Sequence, residues 1–432
     1  EFIKNKRSLY FFVYDSKTSL DLLNEFTQEL KAAKIITELE TIDSWHTFFD
    51  ILFTRGKNYV IVFDEFQNFH NINREVFSII QKECDEFKTT PLNLIFLGSL
   101  IGLFKQIFED KKEPLYGRIS VTLNLNPFSL KESLLALKRL GYAKLTQMLE
   151  IYGIFGGFPK YYAAIEQFNL KGSSVLKLIE YLFIQENAPF EQEVQNILKQ
   201  EFGRRSPLYY SILHAIARGK TRLNEIASLL QMKESSITRH LIELEETFKL
   251  IKSLRPVDNR KNTRYTITHP LIRFWFRFVY DRFSSYSLKG TPALMKEIER
   301  DFNIYMGNRF EKISEEFIIH LNQSNKLPFQ LDYLSNWTGF TREDGERKEI
   351  EIDLLGLSQL QNKALFIECK WKDNVVAEEI LAVLKEKSKH LQWQRNQRKD
   401  FFGIIAKSFQ DKTHVKNVLL YDLNDVGRVL LK

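Results

Sequence analysis

Three unbroken apolar runs stand near the start of the chain: SLYFFVYD (8–15), NYVIVFDEF (58–66) and LNLIFLGS (92–99). Helical spacing separates them, with Leu22, Leu23, Phe26 and Leu30 in residues 18–33 and a second helix-like stretch over 74–87. A strand that buries one face alternates apolar and polar residues, so an unbroken run has to be covered on both faces. Strand–helix–strand order with such runs predicts a parallel sheet carrying helices. The chain has 432 residues, 44% of them hydrophobic and 36 of them Phe, enough to fill several cores and too many for one ordinary domain.

Downstream, residues 128–200 are helical in pattern around one Gly-Pro turn, GIFGGFPKYY (153–162). Residues 206–268 read as three short helices and two strand-like segments, and a helix-rich bridge follows to about residue 300. From 305 onward the pattern runs helix, strands, helix, strand. The fold class expected is a multidomain α/β protein with boundaries at 1–127, 128–205, 206–283 and 284–432.

The formal charge of +7 and pI near 9.0 permit a polyanionic partner without demanding one. Cys84 and Cys369 have neither metal-ligand spacing nor a disulfide framework, which points to a reduced, cytoplasmic compartment. The most apolar stretch, LIRFWFRFVY (271–280), is too short to cross a membrane and is broken by Arg273 and Arg277. No membrane partner is expected.

The second apolar run ends in two acids, and ligands bind at the carboxyl ends of parallel strands. Asp64 can hold a magnesium ion there, and Glu65 can polarise an attacking water. Ser99, at the end of the third run, is placed to touch a terminal phosphate, and Arg118 in PLYGRI (114–119) to reach one. The phosphate loop G-x-x-x-x-G-K-[ST] is missing from this reading. The one Gly-Lys-Thr, Gly219-Lys220-Thr221, has His214 where the first glycine belongs and follows a helix rather than a strand.

Leu208, Ile212, Leu213 and Ile216 share one helical face in 206–219, and Thr221 is a plausible N-cap for the next short helix. In SSITRHLIELEE (235–246), Ile237, Leu241 and Leu244 face inward while Ser236, Arg239, His240 and Glu243 face outward. Two strand-like segments then flank the polar tip DNRKN (258–262). Such a winged helix exposes its second helix to a DNA groove, with Arg239, His240, Arg260, Lys261 and Arg264 as candidate DNA contacts. Glu243, Glu245 and Glu246 on that helix oppose DNA, so a module that contacts protein stays open.

EIEIDLLGLSQLQNKALFIECKW (349–371) reads as a hairpin with charges inside its strands. Period-two alternation places Glu351, Asp353 and Leu355 on one face and Ile350, Ile352 and Leu354 on the other. It also puts Glu368 and Lys370 beside Phe366, opposite Leu365, Ile367, Cys369 and Trp371. A symmetric turn sets Asp353 about opposite Glu368, with Cβ atoms about 5 Å apart. Two carboxylates that close call for a cation, and oxygen-only donors suit magnesium or manganese. Lys370 can then orient water or steady developing charge. Glu311 and Glu315, one turn apart in GNRFEKISEEFIIHL (307–321), can supply a third acid. Exposed strand faces often carry Glu and Lys, so the E-x-K triplet alone has little specificity.

FDEF, LGSL, PLYGRI, GGFP (156–159), the winged helix and EIDLLG…ECKW, in that order, resemble the archaeal-type AAA+-like P-loop ATPases with a C-terminal domain of unknown function related to the PD-(D/E)XK nucleases. The resemblance covers essentially the whole chain. It implies a parallel-sheet ATPase core at 1–127, a helical lid at 128–205, the winged helix at 206–283 and a restriction-endonuclease-like α/β domain at 284–432. It implies Asp64 and Glu65 as Walker B, Ser99 near the sensor position, Arg118 as a candidate finger, and Glu311, Asp353, Glu368 and Lys370 at a nuclease-like site. EFIKNK (1–6) looks like the end of the helix that follows a phosphate loop in this family. A chain that starts there is expected to lack the loop and its strand, to bind ATP only in full-length form, and to leave an open sheet edge. The expected function is an ATPase coupled to DNA binding and a magnesium- or manganese-dependent nuclease domain. A nucleotide-dependent switch with a protein or DNA partner, and a pure DNA-binding regulator, are the alternatives.

Overall fold

A computed structural model of the protein describes residues 3–87, 92–99, 101–202, 206–257, 263–280, 290–343, 346–412 and 418–431. The chain forms two compact units, residues 1–124 and 125–432.

In the first unit, β1 (Ser8–Phe12), β2 (Val60–Asp64) and β3 (Asn93–Phe96) form a parallel sheet in the order β1-β2-β3. The registers run from Ser8↔Val60 to Phe12↔Asp64 and from Val60↔Asn93 to Phe63↔Phe96. All three apolar runs are therefore strands of one parallel sheet, as their lack of alternation requires. Helix Ser19–Ala32 is capped by Thr18 and buries Leu22, Leu23, Phe26 and Leu30. Helix Trp45–Arg55 is absent from the sequence reading above. Its signals are there: Ser44 accepts from the Thr47 amide at 3.2 Å, and Trp45, Phe48, Phe49 and Leu52 keep helical spacing. Phe11 gathers this core, with ring centroids 4.8 Å from Phe26, 5.1 Å from Phe63 and 5.4 Å from Phe48. Each such pair adds about 1 kcal/mol beyond its burial.

β3 is the less covered edge, and no strand pairs with its outer side among the described residues. Val121, Leu123 and Leu125 keep the period-two pattern of a strand, yet lie outside any strand and are 72%, 82% and 97% exposed.

The second unit opens with helices Leu130–Arg139, Leu145–Phe155, Pro159–Gln167, Val175–Ile179 and Glu193–Phe202. The GGFP turn breaks the second from the third. Gly156 has φ +59°, and a Cβ on Gly157 would lie 1.8 Å from the Phe128 carbonyl oxygen, so the turn needs both glycines. It is also a junction: Phe158 stacks on His269 at 4.1 Å, and the Arg309 Nε donates to the Gly153 carbonyl at 2.9 Å.

Helices Ser206–Ala217, Leu223–Leu229 and Glu234–Ile242 follow, then the antiparallel pair β4 (Ile251–Leu254) and β5 (Arg264–Ile267). Ile237, Leu241 and Leu244 are buried, as their spacing predicts. Gly219-Lys220 ends a helix with Gly219 at φ +87°, the conformation of a helix stop. The tip 258–262, with Arg260 and Lys261, lies outside the described residues.

After helix Pro270–Phe278, the 33-residue helix Thr291–Gln323 leads to β6 (Tyr333–Glu343), β7 (Glu346–Ser358), β8 (Lys363–Lys370), β9 (Val375–Val376), β10 (Lys399–Ala406), β11 (Phe409–Asp411) and β12 (Val418–Tyr421). Five of these form a mixed sheet, β12-β10-β8-β7-β6, parallel from β8 to β12 and antiparallel from β8 to β6. Phe310, Ile313 and Phe317 of the long helix share a core with Leu354, Leu365, Ile367 and Cys369. Leu384 of helix Ala377–Ser388 packs on the opposite face, with Ile352, Leu355, Leu357 and Phe366.

That partition corrects strict alternation along β7. Ile352 lies with Leu355, not with Leu354. The β6–β7 register explains it: Ser335 pairs with Leu355 but Trp337 with Ile352, so Asp353 and Leu354 together oppose Asn336. This is a β-bulge, which re-aims the side chains at its position.

Candidate functional site

The bulge puts Asp353 where the β7–β8 ladder opens. The ladder runs from Ser358↔Lys363 to Leu354↔Ile367, so the next rung sets Asp353 against Glu368. Asp353 Oδ2 instead accepts from the Cys369 amide at 2.7 Å. Lys370 Nζ lies 2.7 Å from Glu368 Oε1 and 4.0 Å from Asp353 Oδ2. The hairpin thus brings Asp353, Glu368 and Lys370 together, as its spacing predicts.

A second lysine completes the group. Lys387, in the last turn of helix Ala377–Ser388, lies 3.1 and 3.2 Å from the two Glu368 oxygens. Sequence reasoning missed it because nothing in AEEILAVLKEKSK (377–389) distinguishes it from Lys385 or Lys389; only the helix's seat on β8 selects it.

Glu311 of the long helix comes in from the other face. Burial, then the Asp353 and Glu351 carboxylates, push its carboxyl up to about 8, while Arg273 and Lys370 pull the other way. Asp353 is raised to about 6, by burial first and Glu368 second, against the Cys369 amide and both lysines. Glu315 is turned elsewhere, to Lys312 at 2.8 Å. Among the described residues no three His, Cys, Asp or Glu side chains gather as a metal-holding cluster. Asp353 and Glu368 remain as a two-carboxylate set of hard oxygen donors, which fits a magnesium or manganese ion that keeps several waters.

At the carboxyl end of β2, Asp64 accepts from the Tyr10 hydroxyl and, through Oδ1, from the Glu65 amide at 2.9 Å. Partial burial and then the Asp64 carboxylate push Tyr10 up to about 12. Glu65 sits in the left-handed region at φ +51°, a strained conformation for a non-glycine residue and one that clusters at functional positions. Its Oε2 accepts from Ser99 Oγ at 3.0 Å and from the Gln67 amide. Ser99 is therefore beside Glu65. Arg118 is held by Asp85 at 2.8 Å and by the carbonyls of Pro114 and Tyr116. Tyr10 and Gln67 were not singled out in the sequence; Tyr10, two residues before the Phe12↔Asp64 pair, was open to prediction once β1 and β2 were paired.

The candidate DNA contacts divide. Arg239 is 78% exposed and paired with Glu243 at 3.0 Å. His240 Nδ1 lies 2.9 Å from the Ser236 carbonyl. Arg264, by contrast, is drawn into the protein: with Arg222 it grips Glu349, and it lies 3.3 Å from Glu351 on β7.

This chain is 30% identical over 433 residues to the uncharacterized protein MJECL04 of Methanocaldococcus jannaschii, covering 98% of this chain and 90% of that relative. It belongs to the family of that protein. Residues 275–389 match the DUF234 model, described as archaea bacterial proteins of unknown function. This span holds Glu311, Asp353, Glu368, Lys370 and Lys387, so the carboxylate–lysine group lies in the part of the chain that the model describes. The Walker-type ATPase PABY2304 of Pyrococcus abyssi matches over 64% of this chain and 85% of its own, with TM-score 0.50 and 21% identity. At that identity the likeness is one of fold, a P-loop ATPase-like α/β architecture. No helix among the described residues is long and apolar enough to cross a membrane.

Proposed function

We propose that the protein is a P-loop-type ATPase in which nucleotide state governs a winged helix and a nuclease-related domain acting on DNA. The observation that carries the ATPase reading is the end of β2: Asp64 and a left-handed Glu65 held by Ser99, in a chain with the fold of a Walker-type ATPase. In this reading Asp64 holds the magnesium of MgATP, Glu65 polarises the attacking water, and Ser99 sets the Glu65 carboxylate. Glu65→Gln is expected to abolish ATP turnover, by at least about 100-fold, while nucleotide still binds. Equal turnover in that variant would sink the assignment.

The finer reading concerns the bulged hairpin. A divalent cation on Asp353 and Glu368 would polarise a phosphodiester. Lys370 steadies the negative charge that develops on the non-bridging phosphoryl oxygens, and Arg239 and its neighbours hold the backbone phosphates. Magnesium- or manganese-dependent nicking of duplex DNA that Asp353→Ala removes is the expected result. A second reading, a switch with a nuclease-type scaffold that does not cut, is favoured by one observation: both lysines already neutralise Glu368. Metal titration separates the two, because a cutting site has to show a metal-dependent rise in melting temperature that Glu368→Ala erases.

A further inference from the structure

Glu368 has a side chain only 9% exposed, and two ammonium groups meet it. They do so differently. Lys370 takes one oxygen, Oε1, and leans toward Asp353. Lys387 straddles the carboxylate at 3.1 and 3.2 Å, within reach of both oxygens. Within the four side chains nearest Glu368 the charges balance: Asp353 and Glu368 against Lys370 and Lys387. A divalent cation added to these four leaves two surplus positive charges around a carboxylate that is only 9% exposed, which favours withdrawal of a partly exposed ammonium into water as the cation enters. Lys387 is the one paired with Glu368 alone, whereas Lys370 also leans on Asp353. Among the described residues it makes no ion pair with a second acid, and its flexible stem comes from the end of a helix rather than from the strand that carries Glu368.

We propose that Lys387 is a resident competitor for the divalent cation, occupying Glu368 until the cation displaces it and freeing its ammonium for a phosphate of the incoming ligand. The proposal rests on reading Asp353 and Glu368 as a cation site. It makes Lys387 a positioning residue that sets the metal concentration at which the site switches on.

Manganese binding to the whole chain, followed by electron paramagnetic resonance and by melting temperature, tests it. Lys387→Met is expected to bind manganese about tenfold more tightly than the unaltered protein. Lys387→Arg, which keeps the charge, is expected to stay within about twofold. Asp353→Ala in the Lys387→Met background is expected to abolish the gain. Should Lys387→Met fail to melt cooperatively, Lys387→Gln gives the same comparison. Unchanged affinity on removing the Lys387 charge, with manganese still bound and still lost in Asp353→Ala, overturns the competitor role and leaves the cation site standing. No manganese binding by either protein overturns both.

Discussion

The end of β2 and the opening of the β7–β8 ladder both set carboxylates at the margin of a buried strand, and they handle the charge differently. At β2 the partners are neutral: the Tyr10 and Ser99 hydroxyls, the Gln67 amide and the Glu65 backbone amide. At the hairpin they are two lysines and one backbone amide, around acids that burial and mutual repulsion push upward. Neutral donors fix the direction of a carboxylate while leaving its charge for an incoming cation. Ammonium groups cancel the charge, so a cation has to compete for it. The difference teaches that acids at strand ends are not equally ready for metal, and that a site can carry its own occupant.

Removing an acid breaks the comparison most sharply. Glu368→Ala leaves Lys370 and Lys387 without their shared partner, and the second unit is expected to lose about 2 kcal/mol in urea unfolding. That lies below the usual cost of breaking a buried pair because both lysine side chains, 36% and 24% exposed, can rehydrate. Asp64→Ala is expected to cost the first unit less than about 1 kcal/mol, since its Tyr10 partner is exposed and water replaces it. Equal losses would mean that the two sites do not differ as described.

The next effect is on pH dependence. Glu311 is raised to about 8 and Asp353 to about 6, above the ordinary values of 4.5 and 3.8. In the folded chain both bind protons more tightly than in the unfolded one. The stability they contribute is full below their ordinary values and is lost as pH rises through about 6 and then about 8. Glu311→Gln is therefore expected to gain stability over the unaltered chain between pH of about 6 and about 8.5, on the order of 2 kcal/mol at the upper end. Unfolding curves of the two proteins across that range check it; parallel pH profiles would contradict a buried, mutually repelling pair.

Much of this was open to sequence reading, for identifiable reasons. The three parallel strands followed from runs too apolar for a one-sided sheet, and Asp353 against Glu368 followed from counting across a turn. The bulge did not follow. Alternation is a local rule, and the extra residue at Asp353–Leu354 shows only against Asn336 on β6, a strand far less regular in sequence. Lys387 and Arg264 were illegible for a related reason. A lysine among lysines, and an arginine near a polar tip, acquire roles only when another segment packs beside them, Glu368 for one and Glu349 with Glu351 for the other. Helix Trp45–Arg55 was legible and missed, since its cap and its apolar spacing are both in the sequence.

The smallest effect sharpens the account of β2. Tyr10→Phe removes the hydroxyl from Asp64 and leaves the ring. Because the pair is exposed, its loss is expected to change the stability of the first unit by less than about 0.5 kcal/mol. Its consequence should appear instead in binding. If the hydroxyl only directs an Asp64 that water would otherwise solvate, magnesium–nucleotide affinity should fall by about two- to fivefold, with metal-free nucleotide affinity unchanged. Glu65 keeps Ser99 and Gln67 in that variant, so the turnover of bound nucleotide should persist. A loss of turnover larger than the loss of affinity would show that Tyr10 acts on Glu65 through their shared neighbour Asp64, and the two acids at the end of β2 would then have to be treated as one hydrogen-bonded unit, like the pair at the hairpin.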